Sequence, residues 1–329
     1  LGQKIRQPRR AAPFTPNNAL AATMPNAIEL AGVTKSFGAQ RAVDNLDLVI
    51  PQEAVYGFIG PNGSGKTTTI RMILRILYPD QGRVAVLGQE SGAAVHDQVG
   101  YLPEERGLYR KMKVRDILQF FARLKGMRDG RGQIDQWLER MGLADSAAKK
   151  IEALSKGMSQ KVQFIAAVIA RPRLLILDEP FSGLDPVNQD VMRQAILDLN
   201  KQGATVLFST HDMQVAERMC DGVCMIFRGR KVLDGTLESI QAQFGEDTLR
   251  VRVADAGVLA ALEGVARVAD FGRYQELTLA PGADPRSLLA RIVQQTSVDH
   301  FERARPSLHD IFVRIAGPEA QHAPGSSRE

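Results

Sequence analysis

Eight consecutive residues, Gly60-Pro61-Asn62-Gly63-Ser64-Gly65-Lys66-Thr67, follow the spacing G-x-x-x-x-G-K-[ST]. Glycines let a backbone curl until successive N–H groups converge on phosphate oxygens. A helix starting at the lysine adds the partial positive charge of its N-terminus. Lys66 then reaches the β- and γ-phosphates, and the Thr67 hydroxyl is offered to Mg2+. Thr68 is counted with these nucleotide-binding residues. A second pair of groups, Asp178 and Glu179, closes the apolar run Leu174–Leu177. Ligands of open α/β sheets bind at the carboxyl ends of strands. Asp178 is therefore placed to hold Mg2+ or its waters, and Glu179 is left to orient or polarise an attacking water.

Such groups work only if a strand leads into the glycine loop and a helix leaves it. Val55–Ile59 is a short apolar run, and Ile70, Ile73, Leu74 and Leu77 follow at helical spacing. Pro79, Asp80 and Gly82 are expected to end that helix. Residues of about 105–170 read as a helical insert with three apolar stripes. These are Val114/Ile117/Leu118/Phe121, Ile134/Trp137/Leu138/Met141 and Met158/Val162/Ile165/Ile169. Trp137 is assigned to core packing. Strands 174–177 and 205–209 alternate with helices 187–199 and 213–219, and a hairpin joins 223–227 to 231–234. The pattern is α/β, a P-loop NTPase core. From 249 onward the order is strand 249–253, helix 256–262, strands 265–270 and 275–279, helix 285–295, strand 298–304 and helix 307–315. That is a small α+β unit with the ferredoxin-like βαββαβ pattern.

The chain has 329 residues, with 44% hydrophobic and 24% charged, ordinary for a globular protein. Four of its 42 basic residues and none of its 37 acids lie in residues 1–23, so the formal charge of +5 falls to +1 beyond them. The folded part thus lacks the footprint of a nucleic-acid binder, and no nucleic-acid partner is expected. No apolar run approaches the roughly 18–20 residues that span a bilayer. Cys220 and Cys224 have no second pair to complete a zinc site and read as buried, inert thiols. The expected layout is a disordered arm at 1–25, with Met24 as natural start, a P-loop nucleotide-binding domain at 26–246, an accessory domain at 247–316 and a flexible tail at 317–329.

The two phosphate-handling motifs alone also fit a Ras-like GTPase. However, Asn200-Lys201-Gln202-Gly203 lacks the guanine-reading Asp of N-K-x-D. Between the motifs lies Leu154-Ser155-Lys156-Gly157-Met158-Ser159-Gln160-Lys161, which resembles the L-S-G-G-Q signature of ATP-binding-cassette (ABC) ATPases. Ser182-Gly183-Leu184-Asp185 resembles their D-loop, and His211 their switch histidine. Phe37 falls where the family stacks an aromatic ring on adenine. Ser155 is suited to cap the following helix, leaving its N-terminus and the Gly157 N–H for an anion.

The resemblance implies ATP and Mg2+ as ligands, catalytic roles for Glu179, His211 and Lys66, and nucleotide contacts from Ser155, Gly157 and Asp185. It also implies a head-to-tail homodimer that sandwiches two ATPs. Glu104 stands where the family usually has a metal-contacting glutamine, and Lys156 replaces the first signature glycine. The stretch Gly100–Tyr109 and the ending Pro306–Phe312 resemble the ATPase subunits of ABC-2-type exporters. That subclass implies a separate integral membrane permease and a peripheral place on the cytoplasmic face of the cell membrane. The alternative is a soluble ABC ATPase, for example of the iron–sulfur assembly type.

Overall fold

The computed structural model describes residues 25–90, 97–105, 107–244 and 248–320. Expectations for residues 1–24, including Met24 as start, and for 321–329 lie outside them. The chain divides into two units after Leu237, ahead of the expected boundary at 246/247.

In the first unit β1 (Asn26–Phe37) pairs antiparallel with β2 (Gln40–Pro51). Next come β3 (Val55–Ile59), α1 (Lys66–Ile73), β4 (Gln81–Val86) and β5 (Val99–Leu102). The helical insert supplies α2 (Val114–Leu124), α3 (Arg131–Arg140) and α4 (Lys156–Val168). Then β6 (Leu174–Asp178), α5 (Pro186–Lys201), β7 (Thr205–Thr210), α6 (Met213–Met219), β8 (Gly222–Phe227) and β9 (Arg230–Gly235) complete the unit. Six strands form one sheet in the order β5-β6-β7-β3-β8-β9, parallel except for β9. A second, antiparallel sheet has the order β2-β1-β4.

Every residue of β3, β6 and β7 is buried, as expected of strands covered on both faces. Their period of two sorts the side chains between two cores. Leu175, Leu177, Val206 and Phe208 face the helical insert and α5. Leu174, Ile176, Leu207 and Phe58 face α1 and the antiparallel sheet. Trp137 packs edge-on against Phe164, with ring centroids 5.9 Å apart. Cys224 is buried and Cys220 partly so; burial raises both thiol pKa values, so both are poor nucleophiles.

α1 ends earlier than the apolar spacing implies. Arg75 takes the left-handed conformation (φ 58), Ile76 N–H reaches back to Arg71 O, and Arg75 N–H bonds Met72 O. This is a Schellman stop in which arginine occupies the position usually given to glycine.

The second unit contains α7 (Leu237–Phe244), β10 (Thr248–Val253), a 3-10 helix (Ala256–Ala261), β11 (Val265–Asp270) and β12 (Gln275–Leu279). α8 (Pro285–Gln295), β13 (Val298–Arg303) and α9 (Leu308–Ala320) follow. α7 belongs here because Gln241 donates to Pro306 O and Ile240 is buried. The four strands are antiparallel in the order β11-β12-β10-β13, the arrangement of a split βαβ unit. The first crossover is a 3-10 helix where an α-helix is expected. Gly257 weakens helix propensity, and the 3-10 rise of about 2 Å per residue spans the sheet with fewer residues. α9 runs to Ala320, so Gly317 does not begin a loose tail.

Candidate functional site

The glycine loop joins β3 to α1, and close approach dictates two of its glycines. A Cβ on Gly60 (φ +155) would lie 2.2 Å from Ile226 O, and one on Gly65 (φ +109) 2.4 Å from Ala42 O. No side chain caps α1, whose N-cap is Gly65. Its first N–H groups therefore remain available to an anion. Lys66 is only 6% exposed, and its Nζ donates to Gly60 O at 2.8 Å and Pro61 O at 3.1 Å. Burial lowers its pKa, while the carboxylates of Glu179, Asp178 and Glu104 oppose that shift. Ser64 Oγ is buried without a partner.

Part of this loop borders a cavity of about 440 Å³, while Gly60, Pro61 and Ser64 do not line it. Its wall brings together Phe37, Asn62, Gly63, Gly65, Lys66, Thr67, Thr68, Glu104, Asp178 and Glu179. Phe37 is half exposed, which is not core packing. Gln40 and Ala42 also line the cavity, and the sequence reading missed them. The signal lies in the hairpin: Gln40 is the cross-strand partner of Phe37.

Asp178 ends β6 at 1% exposure. One of its oxygens accepts from Ser209 Oγ, and Oδ2 has no partner. A buried, unpaired carboxylate oxygen is costly unless something meets it. Asp178 and the Thr67 hydroxyl border the same cavity and are hard oxygen donors suited to magnesium. Among the described residues no cluster of three or more His, Cys, Asp or Glu could hold a metal. A cation here fits the magnesium pattern, with few protein ligands and the rest from phosphate and water.

Glu179 follows with φ 50, a strained conformation for a residue with a side chain. It is held there by its N–H, which meets Ser209 O and Ser209 Oγ, each at 3.2 Å. Its Oε1 is 2.9 Å from His211 Nδ1. A carboxylate only accepts, so the histidine tautomer in this pair carries its proton on Nδ1. Gly60 N–H donates to Thr210 O at 3.3 Å, which stitches the end of β7 to the glycine loop.

The other expected nucleotide contacts stand apart from this cavity wall. Ser155 caps α4, its Oγ accepting from Met158 N–H at 3.2 Å. Gly157 packs near Leu184 and Gly183, and the Lys156 stem crosses Gly183, 2.6 Å from where a Cβ would stand. Asp185 caps α5 through Asn188 N–H at 3.0 Å, and hydrogen bonds from Asn188 lower its pKa. Ser155, Gly157 and Asp185 thus form a second patch, outside the cavity that Lys66 and Glu179 share.

Residues 43–182 match the ABC transporter family model, and 235–316 match the C-terminal domain of DrrA1-3-like ATP-binding proteins. An uncharacterized ABC transporter ATP-binding protein of Bacillus subtilis, YhaQ, is 43% identical over 87% of this chain and 97% of its own length. The daunorubicin resistance ATP-binding protein DrrA3 of Streptomyces coeruleorubidus is 33% identical, covering 89% of this chain and 96% of its own. The Nod factor export ATP-binding protein I of Rhizobium sp. (strain N33) is 33% identical, covering 90% and 98%. A solved ATP-binding subunit of an ABC transporter superposes with a TM-score of 0.63 at 30% identity, covering 67% of this chain and 93% of that one. This chain belongs to the ABC transporter ATP-binding proteins and is an ATPase of that family.

Proposed function

We propose that the chain is the ATP-hydrolysing motor of an ABC-2-type exporter, acting as a head-to-tail homodimer on a separate membrane permease. One observation carries the dimer: the Ser155–Gly157 patch, built to meet an anion, is not part of its own chain's nucleotide cavity. A second copy brings that patch to the first copy's γ-phosphate. Export is favoured by the named relatives that act in daunorubicin resistance and Nod factor export. No helix among the described residues is long and apolar enough to cross a membrane, so a separate subunit would carry the path. Such a motor sits peripherally on the cytoplasmic face.

Within this reading Phe37 stacks on adenine, and the residues Gly60–Thr68 cradle the phosphates, with Lys66 on the β- and γ-phosphates. Thr67 and Asp178, with Glu104 facing them, would hold magnesium, which neutralises phosphate charge when bound. Glu179 orients and polarises the attacking water. His211, fixed through Nδ1 by Glu179, leaves Nε2 for the γ-phosphate. Asp185 and the signature patch close the partner's site. Base–aromatic stacking contributes about 1–3 kcal/mol. Phe37→Ala is therefore expected to weaken ATP affinity by about thirty-fold in calorimetry and to leave kcat at saturation little changed.

The permease contact is assigned to an apolar groove of about 510 Å³ lined by Leu74, Ile76, Tyr101, Leu108, Phe121 and Ala166 among others. Ile76 in its lining is more than half exposed, as are Tyr109 and Leu124, which adjoin the lining residues Leu108 and Lys125 in sequence. Exposed apolar surface of this kind marks an interaction site. The test is co-purification from detergent-solubilised membranes. A polytopic membrane protein is expected with the parent chain and lost with Leu108→Asp/Phe121→Asp, whose ATPase persists. Equal recovery with both would overturn the groove assignment, and a soluble partner alone would overturn the exporter reading.

A further inference from the structure

α4 breaks the pattern expected of a buried helix. Ser159, Gln160, Lys161 and Gln163 are each no more than 7% exposed. Long polar side chains are seldom buried unless partnered. Three of these four end on backbone carbonyls of other segments. Lys161 Nζ donates to Met141 O at 2.6 Å, Gln160 Nε2 to Pro180 O at 3.3 Å, and Gln163 Nε2 to Glu105 O at 3.1 Å. The lysine bond ties α4 to the end of α3.

The glutamine bonds differ in what precedes their acceptors. Pro180 follows Glu179, Glu105 follows Glu104, and both glutamates line the nucleotide cavity. The same helix begins at the Ser155 cap, in the patch outside that cavity. Only about six residues separate Gly157 from Gln163, or roughly 9 Å of helix axis. Gln163 also keeps Oε1 buried with no partner. A buried acceptor left unpaired is a cost that packing alone would have removed by an apolar residue. Retaining the amide is explained by the donor it aims at the Glu105 carbonyl.

We propose that Gln160 and Gln163 are positioning residues for hydrolysis, tying the helix that presents the signature patch to the two loops that carry Glu179 and Glu104. A displacement of either loop at the chain's own γ-phosphate then moves the patch offered to the partner's nucleotide, and the reverse. The two hydrolysis sites are coupled through one short rod in each chain. The proposal rests on the head-to-tail reading above.

The test uses the full chain with Gln160→Met and Gln163→Met, made singly. Methionine keeps length and flexibility and removes the donor. Four quantities are read: ADP affinity by calorimetry, kcat per folded molecule, the Hill coefficient for ATP, and thermal stability. Expected for both variants are ADP affinity within twofold of the parent, kcat lowered at least tenfold, and a Hill coefficient falling from above one to one. A lower melting temperature with kcat and Hill coefficient unchanged would reduce the glutamines to core stitching and overturn the proposal. Unchanged values throughout would do the same. The Glu179→Gln chain separates the two levels. If it dimerises with ATP while the glutamine variants keep the parental Hill coefficient, the relay alone fails. If it stays monomeric at saturating ATP, the head-to-tail reading fails and takes the relay with it.

Discussion

Glu179→Gln is expected to bind ATP with undiminished affinity, lose about a thousand-fold in turnover and accumulate as an ATP-bound dimer. The substitution is nearly isosteric. Glutamine can still accept from His211 Nδ1–H, and the backbone bonds to Ser209 O and Oγ that hold φ at 50 are untouched. What changes is the charge that polarises the attacking water. An amide oxygen is a feeble base, and positioned general bases contribute about 10²–10⁴ in rate. Asp178, which lines the cavity and keeps one carboxylate oxygen unpaired, stays in place, so binding should survive. Phosphate release measures the first effect and light scattering with saturating ATP the second. Undiminished steady-state ATPase would remove Glu179 from the reaction. A dead variant that stays single with ATP would remove the sandwich dimer.

What could be read in the chain itself was whatever a local rule encodes. The glycine loop was legible because its spacing is fixed within eight consecutive residues. Leu174–Asp178 was legible because a strand covered on both faces has no polar alternation. The end of α1 was not, because Arg75 fills a backbone role that pattern reading reserves for glycine. Gln40 and Ala42 escaped for a different reason. Their place on the cavity wall depends on cross-strand register, which the hairpin sets and no periodicity reports. α4 was half legible. The stripe Met158, Val162, Ile165, Ile169 correctly identified a helix, but an apolar stripe is silent about the rest of the helix surface. In the fold Ser159, Gln160, Lys161 and Gln163 are buried there, and the glutamines and lysine find carbonyls far away in sequence. The grouping of Ser155, Gly157 and Asp185 away from Lys66 is likewise a tertiary fact. Spacing along the chain does not state which motif faces which cavity.

Lys66→Ala should weaken ATP binding by about a hundred-fold or more. The lysine is held almost wholly inside the loop, its ammonium anchored to Gly60 O and Pro61 O. Burial works against that charge, and the nearby carboxylates of Glu179, Asp178 and Glu104 work for it. An incoming triphosphate adds negative charge beside those carboxylates. Without a cation between them, the phosphates and the acids repel at short range and low dielectric. Hydrogen bonds to charged groups contribute about 1.5–3 kcal/mol each, so losing the two that Lys66 is proposed to make to the β- and γ-phosphates removes about 3 kcal/mol or more. That corresponds to at least about a hundred-fold in Kd. Calorimetric titration with ATP measures the loss, with a thermal melt of the free chain as control. Lys66→Ala also strips two loop carbonyls of their donor, so a modest fall in melting temperature accompanies it. Lys66→Met, which keeps the stem, should show the same loss of affinity with less loss of stability. Unchanged ATP affinity in both variants would show that the loop's backbone N–H groups alone hold the phosphates, and the charge balance drawn for this cavity would be wrong.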